Sequence, residues 1–209
     1  LSVFGRDRKD EVYTIGSIVE LIAGYEDPEA VLKKIESSSI KIISLTITEG
    51  GYNLDKETGL FKLSDKKIQQ DLKNPKQPKT VFGFIAEGLR RRRKEAHNGG
   101  ITILSCDNLQ HNGTTAQKAF MSFITEQDSE LAEWVTLNVT FPNSMVDRIT
   151  PATSSDDIKR LNQKNGTNDL APVYCEDFIQ WVIEECFSHP TLLSIIFKRT
   201  SCCGPSYAR

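Results

Sequence analysis

The sequence predicts an α/β fold built on a parallel sheet with helices packed on its faces. Three observations carry that expectation. Residues 40–48 and 101–104 are β-branched and almost continuously apolar, as strands covered on both faces are. Helical periods separate such runs, for example Val81, Ile85 and Leu89 at i, i+4 and i+8. A further strand-like piece at 135–141 follows the next helical segment, and strands alternating with helices at this rhythm favour parallel pairing.

Taken in order, Asp27-Pro28 supplies an N-cap and a proline at the first helical position, and Val31, Leu32 and Ile35 then share one face of a short helix. The strand at 40–48 ends at Gly50-Gly51. Residues 53–79 are polar, carry Pro75 and Pro78, and read as an insertion over the sheet with at most one weak helix, Ile68 and Leu72 inward. A helix opens at Thr80 and stops at Asn98-Gly99-Gly100. The strand at 101–104 and the polar turn at 105–113 lead into a helix carrying Ala116, Ala119, Phe120, Phe123 and Ile124 on one face. After the piece at 135–141, Ser154 is placed to cap a helix with Ile158 and Leu161, and Phe178, Trp181, Val182 and Cys186 are expected on one face of another. From Phe187 the character changes, and Cys202-Cys203-Gly204-Pro205 has neither period. The expected division is therefore 1–186 as one sheet domain with extra helices, and 187–209 as a divergent tail.

Composition narrows the function classes. The 209 residues carry 26 basic and 28 acidic side chains and 38% apolar residues, enough for a core and too balanced to recruit nucleic acid or an anionic membrane. The longest apolar candidate, 192–197, is far below the roughly 20 residues of a spanning helix. Five cysteines without C-x-x-C spacing fit reduced thiols in the cytoplasm better than a disulfide framework or a zinc site. The N-x-[ST] matches at Asn112, Asn138 and Asn165 are short enough to recur by chance. The chain begins with Leu1, so an initiator region is expected to have been lost.

In open parallel sheets ligands bind beyond the carboxyl ends of the strands. The first such place is Thr48-Glu49-Gly50, where glycine lets a ligand approach the backbone and Glu49 offers a carboxylate; a strand-ending turn with a solvated acid explains it equally well. The second is 105–113, where Asn108 is suited to hydrogen-bond an alkoxide or carbonyl oxygen, although turn chemistry alone also uses such residues. The third is 141–151, where Asp147 and Arg148 suit a polyhydroxylated ligand, with a plain surface ion pair as the alternative. The run from Arg90 to Lys94 reads as a solvated helix end. His97, His111 and His189 stand in no metal-ligand spacing, and no metal site is expected.

The segments T-I-T-E-G-G-Y-N-L-D, L-S-C-D-N-L-Q-H-N-G and F-P-N-S-M-V-D-R-I-T-P (46–55, 104–113 and 141–151) together resemble the successive signatures of the mannitol dehydrogenase and uronate reductase family. Ile15-Gly16-Ser17-Ile18 and Val81-Phe82-Gly83 support the resemblance, which runs from about Glu11 to Glu185. It implies a Rossmann-type NAD domain followed by a helical domain, and metal-free hydride transfer between a sugar alcohol and the nicotinamide. It also implies a lysine of the second domain as general acid/base. By motif it places Asn108 on the reacting oxygen, Val146 and Asp147 at the substrate, and Thr48, Glu49 and Gly50 beside NAD, with NADP still open. Glu49 would also lie on the proton path.

The chain departs from that pattern in two places. No G-x-G-x-x-G follows a strand, so the first glycine-loop βαβ unit is absent, and no segment matches K-x-x-x-x-N-x-x-H. A frame shift, alternative splice or truncated gene copy near Phe187 would explain the second departure. The expectation is thus the C-terminal part of a Rossmann-type domain from a cytoplasmic, monomeric enzyme acting on D-mannitol and D-fructose, inactive by itself. The rivals are a fructuronate or tagaturonate reductase and a non-catalytic interaction protein.

Overall fold

The computed structural model describes residues 2–4, 11–95 and 99–189. In chain order its elements are β1 (Ser2–Phe4), β2 (Glu11–Val12), α1 (Pro28–Glu36), β3 (Ile42–Leu45), α2 (Thr48–Gly51), α3 (Lys66–Lys73), α4 (Val81–Lys94) and β4 (Ile101–Ser105). They continue with α5 (Asn112–Gln127), α6 (Ser129–Asn138), β5 (Val139–Thr140), β6 (Ser144–Asp147), α7 (Ser155–Asn165), β7 (Tyr174–Glu176) and β8 (Gln180–Ile183). The chain divides into two units, one of Leu1–Leu21 with Met145–Val182 and a larger one of Ile22–Ser144 with Ile183–Arg209.

The larger unit holds the parallel sheet β3-β4-β5, in which Ile43 pairs with Ile103, Leu45 with Ser105 and Thr102 with Thr140. Every residue of β4 is buried, as a central strand between two neighbours requires. β3 is different from the expectation: it spans four residues and only Leu45 is buried, because among the described residues it is the edge strand of this sheet, with β4 as its single neighbour. The expected strand at 135–141 is mostly helix. Asp128 caps α6 by accepting from Leu131 N at 2.9 Å, and Leu131, Ala132 and Val135 bury one helical face, leaving Val139–Thr140 for β5. The local helical period and the cap outweigh β-branched composition there.

Helices α4 and α5 cover the sheet as their periods require. Ile85 and Leu89 of α4 and Ala116, Ala119, Phe120, Phe123 and Ile124 of α5 are all buried. Phe82 meets Phe61 edge-on at 4.9 Å between ring centroids and Phe120 at 5.0 Å. Phe61 and the buried Ile68 come from the polar stretch 53–79, so that stretch contributes to the core and is more than an insertion lying over it. Buried Asp71 of α3 fastens it to α4, accepting from Thr80 N at 2.8 Å and from Thr80 Oγ1 at 2.7 Å. Helix α4 ends at Lys94 with Glu95 as its C-cap, before the expected glycine stop, of which Asn98 lies outside the described residues. Gly100 serves the sheet instead: a Cβ there would lie 2.3 Å from the carbonyl oxygen of Asn138.

The basic run of α4 is not a solvated helix end. Arg92 is fully buried, and Arg90 and Arg91 both hold Glu87 while reaching Asp128 and Glu29 respectively. The guanidinium forks find fixed acceptors on α1 and at the α5–α6 junction, so these charges join elements. Of this run, Lys94 alone is exposed.

The smaller unit holds the sheet β2-β1-β7, with β1 parallel to β7. β8 pairs with β6, which overturns the helix expected through Phe178, Trp181, Val182 and Cys186. Ile179, Trp181 and Val182 form an aromatic and β-branched run suited to a strand, and all three are exposed, with no buried helical stripe. Ser154 caps α7 in a full capping box with Asp157, and Leu161 is buried. The Ser154 hydroxyl and Arg160 pull the Asp157 carboxyl down to about 2 from its ordinary 3.8. A depressed folded value means the cap's contribution is complete above about pH 4 and is lost as pH falls through about 2. Amide exchange in the first turn of α7 is expected to quicken over that window; rates that follow only the normal pH dependence of exchange would refute it.

Among the described residues no helix is long and apolar enough to cross a membrane, and no group of three or more His, Cys, Asp or Glu is placed to hold a metal. Cys106, Cys175 and Cys186 are free thiols, while Cys202 and Cys203 lie outside the described residues.

Candidate functional site

The tips of β3 and β4 lie side by side because the strands are parallel and in register to Leu45 and Ser105. Immediately beyond β3, Thr48 takes φ +63° as the first residue of α2. A β-branched residue in the left-handed region is a true outlier that costs about 1–3 kcal/mol and persists only where the surroundings fix it. The fixing group is Asp107 from the neighbouring tip. Its Oδ1 accepts from Thr48 N at 2.8 Å, and its Oδ2 accepts from Ile47 N at 3.3 Å and from Tyr52 Oη at 2.7 Å.

Tyr52 Oη also lies 2.6 Å from Ser105 Oγ. Tyr52 and Ser105 are fully buried and Asp107 nearly so. Burial is the main force raising the Tyr52 phenol above its ordinary range; the Ser105 hydroxyl opposes the rise and Asp107 reinforces it. Tyr52 is therefore a neutral donor throughout the physiological range.

Buried Asn112, first residue of α5, extends this polar layer to the third signature segment. Its Nδ2 donates to the carbonyl oxygens of Ser105 at 3.1 Å and Asp107 at 3.0 Å, and its Oδ1 accepts from Ser144 N at 2.8 Å. The Ser144 hydroxyl donates to the Ser105 carbonyl at 2.5 Å. Asn112 therefore has its amide committed inside the fold, which leaves the first of the three N-x-[ST] matches without an accessible acceptor. Asn143 accepts from Thr114 N at 3.0 Å and donates through its own N and Nδ2 to Glu184, whose carboxyl these bonds lower.

Among the residues expected at the site, Thr48, Glu49, Gly50 and Asn108 are all exposed, on the two latched tips. A Cβ on Gly50 would meet nothing within 4 Å, so that face is open to a ligand. The Asn108 side chain has no hydrogen-bond partner among the described residues. Val146 is half-buried in β6 and belongs to the smaller unit, as does Asp147, whose side chain lies outside the described residues. Arg148 donates from Nε to the carbonyl of Glu176 at 3.2 Å, a commitment within the smaller unit.

Sequence reasoning missed the residues that organise these tips: Tyr52, Ser105, Asp107, Asn112 and Ser144. Their signal was present in part, since each lies inside one of the three signature segments. What spacing cannot show is that a phenol and a carboxylate 55 positions apart meet beneath the turn.

Residues 2–195 match a family model described as the mannitol dehydrogenase Rossmann domain. The polyol:NADP oxidoreductase of Gluconobacter oxydans (strain 621H) is 48% identical over 181 residues, covering 87% of this chain and 37% of that protein. A mannitol 2-dehydrogenase of Aspergillus fumigatus (strain CBS 144.89 / FGSC A1163 / CEA10) is 43% identical over 178 residues, 84% of this chain and 35% of its own length. Among solved structures, Pseudomonas fluorescens mannitol 2-dehydrogenase in ternary complex with NAD and D-mannitol superposes with a TM-score of 0.86 at 43% identity, over 90% of this chain and 38% of that one. The chain thus spans somewhat more than a third of the length of the relatives it matches.

Proposed function

This chain belongs to the mannitol dehydrogenase family, and on that premise we propose that it forms the part of a polyol dehydrogenase that faces the reacting carbon. The reaction in this reading is interconversion of D-mannitol and D-fructose by hydride transfer. The observation that carries the proposal is the pair of latched strand tips presenting to solvent Glu49, Gly50 and an Asn108 amide that has no partner among the described residues.

NAD is the cofactor of this reading, as in the Pseudomonas complex, while the Gluconobacter relative is named for NADP. The residues present fit the ring end of such a cofactor, because Gly50 leaves open space at the end of a parallel strand. When bound, the nicotinamide supplies the hydride acceptor. For the pyrophosphate end the fit is lacking: among the described residues no G-x-G-x-x-G turn joins a strand to a helix.

The roles of the side chains follow from their chemistry. The Asn108 amide donates to the substrate oxygen, and this bond strengthens as the carbinol oxygen gains negative charge. Glu49 is assigned to the nicotinamide side and to the proton path, where a carboxylate can take up and pass on a proton. Val146 and Asp147, in the smaller unit, are the residues that the family motif assigns to the substrate. No turnover is expected from this chain by itself.

In the complete gene product, Asn108→Ala is expected to lower kcat with D-mannitol by about a hundredfold or more, leaving the Kd for NAD or NADP close to the parent's. Turnover equal to the parent would remove Asn108 from the mechanism. Measuring the parent on mannitol, sorbitol, arabinitol and fructuronate tests the substrate in the same assay.

A further inference from the structure

We infer that Asp107 is a positioning residue that sets the geometry of Glu49 and Asn108 without touching substrate; the inference rests on the roles just proposed for those two residues. The carboxylate is used on both sides. One oxygen holds Thr48 N, and the other holds Ile47 N together with the Tyr52 phenol. Glu49 follows directly on Thr48, whose positive φ aims the chain into α2. Asn108 follows directly on Asp107, and the carbonyl between them is itself held by Asn112 Nδ2 at 3.0 Å and by Leu109 N at 2.9 Å. One residue therefore fixes the peptide before Asn108 through its backbone and the peptides before Glu49 through its side chain.

The residue type matters. Two backbone N–H groups, the Tyr52 phenol and, at 3.5 Å, the Ser105 hydroxyl converge on two oxygens, and only a carboxylate accepts on both. An asparagine in the same rotamer turns an NH2 group towards either Thr48 N or the Ile47–Tyr52 pair, so at least one donor is orphaned in a buried place. Tyr52 acts one step further out, holding Oδ2 in place while packing as a buried ring. Loss of this latch loosens two short turns, whereas the hydrophobic contacts of α4 and α5 with β4 remain.

The test has two arms. In this chain, Asp107→Asn is expected to speed amide exchange at Ile47 and Thr48 by at least about tenfold, with α4 and α5 amides nearly unchanged. Tyr52→Phe should do the same to a smaller degree. In the complete gene product, Asp107→Asn is expected to lower kcat by roughly ten- to a hundredfold while KM for polyol and cofactor moves by less than about threefold. Unchanged exchange at residues 47 and 48 would overturn the inference. So would uniform acceleration through α4 and α5, which marks general fold support, or an unchanged kcat where Asn108→Ala is inactive. Full turnover in Asn108→Ala would instead overturn the functional reading, and the exchange arm would still decide whether Asp107 holds the β3 tip.

Discussion

Replacing Arg92 with methionine is expected to destabilise the chain by about 3–5 kcal/mol. The side chain is fully buried on α4, burial lowers its pKa, and among the described residues no carboxylate pairs with it to offset the cost. Four carbonyls serve in that role. Nε donates to Gly99 at 2.9 Å, Nη1 to Ile35 and Ser37 at 3.1 and 2.6 Å, and Nη2 to Ile40 at 3.1 Å. Ile35 and Ser37 lie at the end of α1, where unpaired carbonyls and the helix dipole favour a cation. Methionine fills similar space and supplies no donor, so the acceptors lose their partners in a buried setting. For a domain of this size the loss corresponds to a Tm lower by roughly 10 °C or more. Arg92→Lys should recover only part of it, since an ammonium cannot span acceptors on three segments as a planar fork does. A methionine variant melting within about 2 °C of the parent would show that the carbonyl cage contributes little.

Arg92 also shows where the sequence could be read and where it could not. Periodicity located α4, α5 and α7, whose stripes bury Ile85, Leu89, Phe120, Phe123 and Leu161 while Val81 and Ile158 stay half-buried, and the expected caps Asp27 and Ser154 each accept a backbone N–H. A run of four arginines and a lysine carries no such information. Which of them points inward depends on the helix phase relative to α1, and that is settled by tertiary packing. Residues 135–141 and 178–183 failed in opposite directions for one reason: a short apolar run is compatible with both periods, and an N-cap at Asp128 or a partner strand at β6 decides. At the candidate site, the first two signature segments fall on the turns beyond β3 and β4, and the residues singled out there, Thr48, Glu49, Gly50 and Asn108, are exposed. The buried layer beneath them, Tyr52 with Ser105 and Asp107, became visible only when β3 and β4 were set in parallel register.

That layer makes the packing of α5 against the 141–144 segment a sensitive point, and Gly113→Ala is expected to expose it. A Cβ at Gly113 would stand 2.3 Å from the Pro142 carbonyl oxygen and 2.5 Å from that of Phe141. Both are backbone atoms, so no rotamer change relieves the contact. Alanine improves intrinsic helix propensity by about 1 kcal/mol, yet overpacking against main chain costs on the order of 3 kcal/mol, and the clash prevails. The strand of chain that must yield is the one Asn112 and Thr114 hold through Ser144 and Asn143. Its displacement breaks the bond from Ser144 N to Asn112 Oδ1, at the residue where β6 begins and from which the chain runs on to Val146 and Asp147. The expected result is a net loss near 2 kcal/mol by denaturant unfolding, accompanied by faster amide exchange at Ser144. Gly50, where an added Cβ meets nothing, supplies the control: stability unchanged in Gly50→Ala and lowered in Gly113→Ala would tie the effect to the close approach, and equal stability in both would refute it.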